Sequence, residues 1–455
     1  FRVTRRKNLI MRTTIQSLCL LAAVSVAPQA HAVDLIDILS QAQVNDARYA
    51  AAKALYLGQQ ERLPQARAGL LPNIDFEAGY NYNDIDVQYD APTFNSGRRD
   101  YNAYNYGINL IQPLYRRQNQ LSVGQAIIQV AQAGTELEIA TQDLLIRTAE
   151  AYFDVLLARF NLSTVRSQKV AVAEQLEQAK RNFVVGTATI TDQREAQARY
   201  DLVIAQELGA ENDLRVSTEA LQILTGVPVR GDLAGLRAGV SLTAPTPASM
   251  DAWVEQSYQS SLQVLRAQQT LEIAQSEVNL QRAGHQPTLD LIGSLSRNDQ
   301  ESSAFGVGSD TQSAVVGLQF NLPIYQGGAI SSRTREAIAG QDRAGQELED
   351  ARRDVAQATR EAYLGVTTGI AQVNAFEQAV ASTRLQLEST KLGQQVGVRT
   401  AVDVLNAEQQ LVIAQRDLAQ AVYNTILSQL RLQAAVGSLA EADLQDINRL
   451  LDVSN

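Results

Sequence analysis

The sequence predicts an α+β membrane protein built from two internal repeats, with long helices joined to short stretches of β-structure. Three observations predict it. "VGTATITDQREAQARY" (185–200) returns as "VGVRTAVDVLNAEQQL" (396–411), prolines are absent from 114–227 and 324–455, and four stretches alternate apolar and polar residues.

The repeat is positional. Val185, Gly186, Thr189, Asp192 and Ala196 recur as Val396, Gly397, Thr400, Asp403 and Ala407, all at one offset. The ten prolines stand at 28, 64, 72, 92, 113, 228, 245, 247, 287 and 323. Proline breaks helix interiors, so the two gaps allow very long helices. Pro113 to Gly186 spans 73 residues and Pro323 to Gly397 spans 74. A helix filling either would run ~110 Å at about 1.5 Å per residue. Gly186 to Gly226 and Gly397 to Gly437 both span 40 residues, so the halves match as structural objects. We therefore expect a first repeat over 33–228, a linker over 229–246, a second repeat over 247–437 and a C-terminal tail over 438–455.

Heptad spacing supports the helices. Val404, Leu411, Leu418, Thr425 and Leu432 recur every seven residues, with Ala407, Ala414, Ala421 and Ser428 three positions after the first four. Such a seam lets helices pack side by side, and alanine allows close approach. An ordinary helical-bundle core fits the heptads equally well. Four long helices that meet mainly their sequence neighbours would make a thin object, so lateral partners are expected.

The β-structure comes as one hairpin per half, about 72–113 and about 287–323. In "LPNIDFEAGYNYND", Ile74, Phe76, Ala78, Tyr80 and Tyr82 alternate with Asp75, Glu77, Gly79, Asn81 and Asn83. Tyr104, Tyr106, Ile108 and Leu110 alternate likewise, as do Leu289, Leu291, Gly293 and Leu295, then Val316, Leu318, Phe320 and Leu322. Alternation of this kind suits a barrel with lipid outside and water inside, or a half-buried sheet of a soluble domain. Six of the fifteen tyrosines fall between 80 and 106, as an interfacial aromatic girdle requires. Four strands cannot close a barrel, and an open edge in lipid leaves backbone groups unpartnered. Strands that span a membrane would therefore have to be shared among several chains.

The start of the chain reads as a leader, 1–32. Met11 and Arg12 precede the apolar run "LCLLAAVSVA" and then Ala30-His31-Ala32, the pattern of a secretory signal peptide cut after Ala32. The run is far short of the roughly 20 residues of a membrane-spanning helix. Residues 1–10 begin with Phe and precede Met11, so they need not belong to the natural product.

The net charge is −10, and the leader contains Arg2, Arg5, Arg6, Lys7 and Arg12 but no acid, so its removal makes the chain more acidic. A nucleic-acid partner is not expected. The single cysteine, Cys19, lies in the leader, and the histidines are His31 and His285. The remaining chain thus lacks material for a disulfide or a cysteine-histidine metal site, and no metal or cofactor is expected. His285, alone at a helix end in "AGHQP", reads as structural. The glycines of "YQGGAI" read as a strand-to-helix junction rather than a nucleotide-binding loop.

Together, "GHQPTLDL" (284–291), "NLPIYQGG" (321–328), "AYFDVLLA" (151–158), "VGTATITD" (185–192) and "VGVRTAVDVLNA" (396–407) resemble the TolC family of outer-membrane exit ducts, in order, over about residues 34–445. The resemblance implies a homotrimer with a shared twelve-stranded barrel in the outer membrane of a Gram-negative bacterium, continued by a periplasmic tunnel of twelve helices. An equatorial layer would come from the shorter helices, the linker and the tail. Each half would supply one helical hairpin, with Gly186 and Gly397 at turns needing positive φ. The family's entrance network maps onto Asp192, Arg399 and Asp403.

By spacing alone, Arg399 and Asp403 are an i, i+4 pair on an exposed helix. Repeated around an axis, such carboxylates would repel one another and attract cations. This chain has Asn406 where well-known members have a second aspartate, and Gln394 where they have a tyrosine, so a weaker cation site and a looser gate are expected. The resemblance also implies a passive conduit driven by an inner-membrane ABC or proton-driven transporter through a periplasmic adaptor. The adaptor would dock around Gly186, Thr187, Gly397 and Val398. A secreted coiled-coil scaffold or adhesin would explain the heptads but not the tyrosine-rich hairpins. A periplasmic hydrolase would need a compact pocket that rod-like halves do not offer.

Overall fold

The structure, a computed structural model, describes residues 32–90, 96–229, 231–237 and 239–452. The leader expected over 1–32 lies outside these apart from Ala32. Three helices, α1 (Leu35–Asn45), α2 (Ala47–Gln60) and α3 (Arg62–Ala68), lead into the hairpin β1 (Asn73–Val87) and β2 (Gly97–Tyr115). Then α4 (Arg117–Val184) and α5 (Ile190–Thr225) follow, the first 68 residues long. A linker containing β3 (Gly235–Leu236) leads to α6 (Met250–Ser260) and α7 (Leu262–Arg282). The hairpin β4 (Thr288–Gln300) and β5 (Ser309–Asn321) precedes α8 (Ala329–Gln395), 67 residues long, and α9 (Ala401–Ala435). The chain ends in α10 (Glu441–Asn448) and β6 (Leu451–Asp452).

Absence of proline lets α4 and α8 run unbroken for ~100 Å at about 1.5 Å per residue. At the start of α8, Gly327 and Gly328 adopt φ of +60° and +82°, which fits the junction read in "YQGGAI". The seam of α9 faces α8: Val404, Ala407, Ala414, Ala421, Thr425 and Leu432 are buried. Gly369 of α8 lies so close to Thr425 that an added Cβ would overlap its hydroxyl, and Gly365 faces Ser428 in the same way.

The four long strands form one antiparallel sheet in the order β1-β2-β4-β5, so β1 and β5 are its edges. Register places Phe76, Ile108, Leu295 and Ala314 across from one another, and Ile74, Leu110, Gly293 and Val316 in the next row. Opposed residues share a face, so one apolar face runs over all four strands. It is uncovered within the chain, with Phe76 69% and Val316 82% exposed. The other face is mostly polar: it carries Asp75, Asn109, Ser294 and Val315 in one row and Glu77, Gly107, Ser296 and Ser313 in the next. Of the six clustered tyrosines, Tyr80, Tyr82, Tyr104 and Tyr106 share the apolar face. Tyr101, by register opposite Asn83, lies on the polar one, because strand parity rather than proximity sets the side.

The compact core lies at the level of the short helices. Leu35, Ile38 and Leu39 of α1 pack with Tyr152 and Phe153 of α4, Ile426 and Leu430 of α9, and Leu444 of α10. Each such buried side chain contributes about 1.5–3 kcal/mol. The Tyr152 hydroxyl donates to Ala234 O at 2.7 Å, and burial pushes its pKa up. β3 pairs with β6, and Val33 bridges Leu233, so the linker, the tail and the first described residues close one belt.

Candidate functional site

The repeated motifs form two matching turns. Gly186 and Gly397 have φ of +80° and +78°, and open space surrounds the position of an added Cβ at each. Glycine is therefore required there by the backbone rather than by packing. Thr187 N–H donates to Asn182 O at 2.8 Å and Val398 N–H to Gly393 O at 2.9 Å, while Gly186 and Gly397 N–H bond Phe183 O and Gln394 O. These bonds satisfy carbonyls at the end of each long helix.

Three residues after each glycine the next helix starts from a threonine cap, Thr189 or Thr400. Thr189 Oγ1 accepts from Asp192 N–H at 3.2 Å, and Asp192 Oδ2 accepts from Thr189 N–H at 2.7 Å and from its hydroxyl at 2.9 Å. Thr400 and Asp403 repeat this with 3.2, 2.8 and 2.9 Å. Each is a reciprocal capping box. The Thr189 N–H, then its hydroxyl, holds the Asp192 carboxyl below its ordinary range; Thr400 does the same for Asp403, with Arg399 adding a smaller electrostatic effect.

This corrects one reading of the spacing. Arg399 and Asp403 are not an i, i+4 pair on a helix, because α9 begins at Ala401 and Thr400 is its cap. The left-handed Gly397 turn uses the intervening residues. Arg399 instead lays its side chain over Gly393, where an added Cβ would come within 2.8 Å of its Cγ. Among the described residues Arg399 forms no ion pair, and Asp403 is held by Thr400.

The two turns meet sideways. A groove of about 430 Å³ between them is lined by Asn182, Thr187, Asp192 and Arg199 from the first hairpin and by Thr400, Val402 and Leu405 from the second. Leu405 packs with Val172 and Val203, which brings α9 against α4 and α5. Asp192 thus faces the cap of the other hairpin, whereas Arg399, Asp403 and Asn406 lie outside the groove lining. Gly186, Thr187, Gly397 and Val398 are exposed at the extreme ends, joined by exposed Val184, Val185 and Val396. The threonine caps and these flanking valines escaped the sequence reading. The caps carried a signal, since "TITD" and "TAVD" both fit the capping-box spacing.

Among the described residues, no group of three or more His, Cys, Asp or Glu is placed to hold a metal ion. No described helix is long and apolar enough to cross a membrane. The sheet, for its part, exposes apolar side chains such as Phe76, Val316 and Leu318.

The chain matches the family model described as outer membrane efflux protein over residues 38–227 and 253–438. It is 36% identical over 425 residues to the outer membrane protein TolC of Vibrio cholerae serotype O1, covering 93% of this chain and 95% of that protein. It is 29% identical over 445 residues to the proteases secretion protein PrtF of Dickeya chrysanthemi, covering 97% and 95%. Its fold is similar to that of the Campylobacter jejuni CmeC outer membrane channel, with a TM-score of 0.78 at 18% identity over 98% and 99% of the two chains.

Proposed function

The chain belongs to the outer membrane efflux protein family, and from that premise we propose a passive, trimeric exit duct gated at its second helical turn. It is a TolC-type channel of the outer membrane, and nothing points to catalysis. Three copies joined β5 to β1 would close a twelve-stranded barrel, and the alternating strand directions keep every new pair antiparallel. Each chain would contribute two repeats, 33–228 and 247–437, joined by the 229–246 linker, with the 438–455 tail completing the belt.

The observation that carries this reading is the sheet. It has an apolar face open to the outside, a polar opposite face and two unpaired edges. In lipid each unsatisfied backbone group costs several kcal/mol, so closure with other copies is the physical solution. The helices then continue the polar face as a tunnel wall.

At the far end, Arg399, Asp403 and Asn406 would ring the axis with Asp192 behind them, and the exposed turns at Gly186, Thr187, Gly397 and Val398 would receive a periplasmic adaptor. An inner-membrane ABC or proton-driven transporter would supply the energy and select the cargo, for either efflux or type I secretion. Opening would separate the second hairpin from the first across the groove lined by Asp192 and Thr400, a two-state change at a packed interface. Chemical cross-linking of the purified protein together with planar-bilayer recording tests the proposal. Trimers with discrete conductance steps are expected; well-folded monomers that neither assemble nor conduct would overturn it.

A further inference from the structure

We infer that the loop between β4 and β5, residues 301–308, is latched across the outer mouth of the barrel and forms a second constriction, opposite the helical turns. This rests on the barrel reading above. The β1/β2 hairpin continues past the last β2/β4 rung, Ala103 with Gln300, to the Val87–Gly97 pair. The 301–308 loop leans on this protruding end. Its root is held on the apolar side: Asn102 Nδ2 donates to Glu301 Oε2 at 2.9 Å, and Tyr80 Oη donates to Asn102 Oδ1 at 2.6 Å.

Its tip is drawn to the other side. Arg99 is opposite Ile85 in register, on the face that carries Asp75 and Glu77. Arg99 Nη1 donates to Ala304 O, and its guanidinium lies against Gly306, where an added Cβ would stand 3.3 Å from Cζ. The Tyr89 hydroxyl donates to the same Ala304 O at 2.6 Å, and the Tyr89 ring stacks on Phe305 with centroids 6.0 Å apart and 15° between planes. Gly306 has φ of +78°, and its N–H bonds Ser303 O at 2.8 Å, which folds the tip tightly.

The loop therefore crosses the end of the sheet from the lipid side to the lumen side. A charge-assisted bond, a phenol bond and a ring stack hold it there. Phe305 and Val307 remain 65% and 68% exposed within the chain, so three copies would present apolar side chains and Arg99 cations around the mouth. Such a lip excludes bulky hydrophilic solutes arriving from outside, independently of the helical gate.

The test is polymer exclusion on bilayer-inserted full-length trimers. Polyethylene glycols of increasing mass are added to the outer chamber only, and the mass at which they stop entering the pore is read from conductance. Arg99→Ala and Phe305→Ala are each expected to shift this cut-off to larger polymers. Tyr89→Cys with Phe305→Cys, in a Cys19→Ser background and bridged by a short bismaleimide, should keep the wild-type cut-off, whereas the unbridged pair should shift with the alanine variants. Conducting channels with one common cut-off would overturn the latch and leave the duct standing. Folded variants and wild type that all fail to conduct would overturn the duct, and the latch with it.

Discussion

Hairpins α4/α5 and α8/α9 turn through the same backbone, yet they are held together by different chemistry. Both have a left-handed glycine and a threonine-aspartate box. Arg166 and Lys169 tie α4 to Glu207 and Glu211 of α5, with Lys169 to Glu207 at 2.5 Å. The equivalents of Lys169 and Glu207 in the second hairpin are Val380 and Leu418, and α8 and α9 are joined by close packing at Gly365 and Gly369 and, as the one ion pair between them among the described residues, Lys391–Glu408 at 2.9 Å. Where the first turn has Ala188, the second has Arg399. The shared parts build both turns, so Arg399, which the first turn lacks, is what can make the second turn the gate.

The largest effect should come from breaking the close packing of the second hairpin. Gly369→Leu is expected to destabilise it by about 1–3 kcal/mol through overpacking against Thr425. Its counterpart in the first hairpin is already Ala158, inside α4, so Ala158→Gly should leave the chain folded and cost only about 1 kcal/mol of helix propensity. Next, Gly186→Val and Gly397→Val should each cost about 1–2 kcal/mol from forced positive φ. The two losses should be equal, because both positions open into empty space; a marked difference in protease sensitivity at the turns would break the symmetry argued above.

Thr189→Ala and Thr400→Ala should each cost about 1 kcal/mol by loss of a cap. The capping carboxylates add a pH signature. Both have folded pKa values below 3.8, so their contribution is complete above that pH and is lost as pH falls through the lower folded values. Amide protection factors at the two turns, corrected for the intrinsic pH dependence of exchange, should therefore be flat from neutral pH down to that region and then fall at both. The smallest effect belongs to the surface pairs: Lys391→Ala should cost about 0.2–1 kcal/mol and fade in high salt.

Much of this architecture was legible because proline, glycine and two-residue alternation act locally. Pro113 and Pro323 announced where the long helices could begin, and the alternation from Ile74 to Tyr82 announced the exposed face. What escaped notice depends on distant or competing partners. Gly235 and Leu236 pair with Asp452 and Leu451 across the chain, in strands too short to carry a pattern. The Thr400–Asp403 spacing fits a capping box, but the Arg399–Asp403 spacing equally fits an i, i+4 pair. Only the backbone path after Gly397 assigns the carboxylate to the cap. Tyr101, opposite Asn83, makes a similar point: clustering in sequence does not fix which face of a strand a ring occupies.

The most direct test of the central claim is single-channel conductance in planar bilayers for the wild type and Arg399→Ala, with Thr189→Ala as the control at the other turn. A low wild-type conductance that rises clearly in Arg399→Ala and little in Thr189→Ala is the predicted result. Folded, inserted channels in which Arg399→Ala conducts no better than wild type would contradict a gate at the second turn.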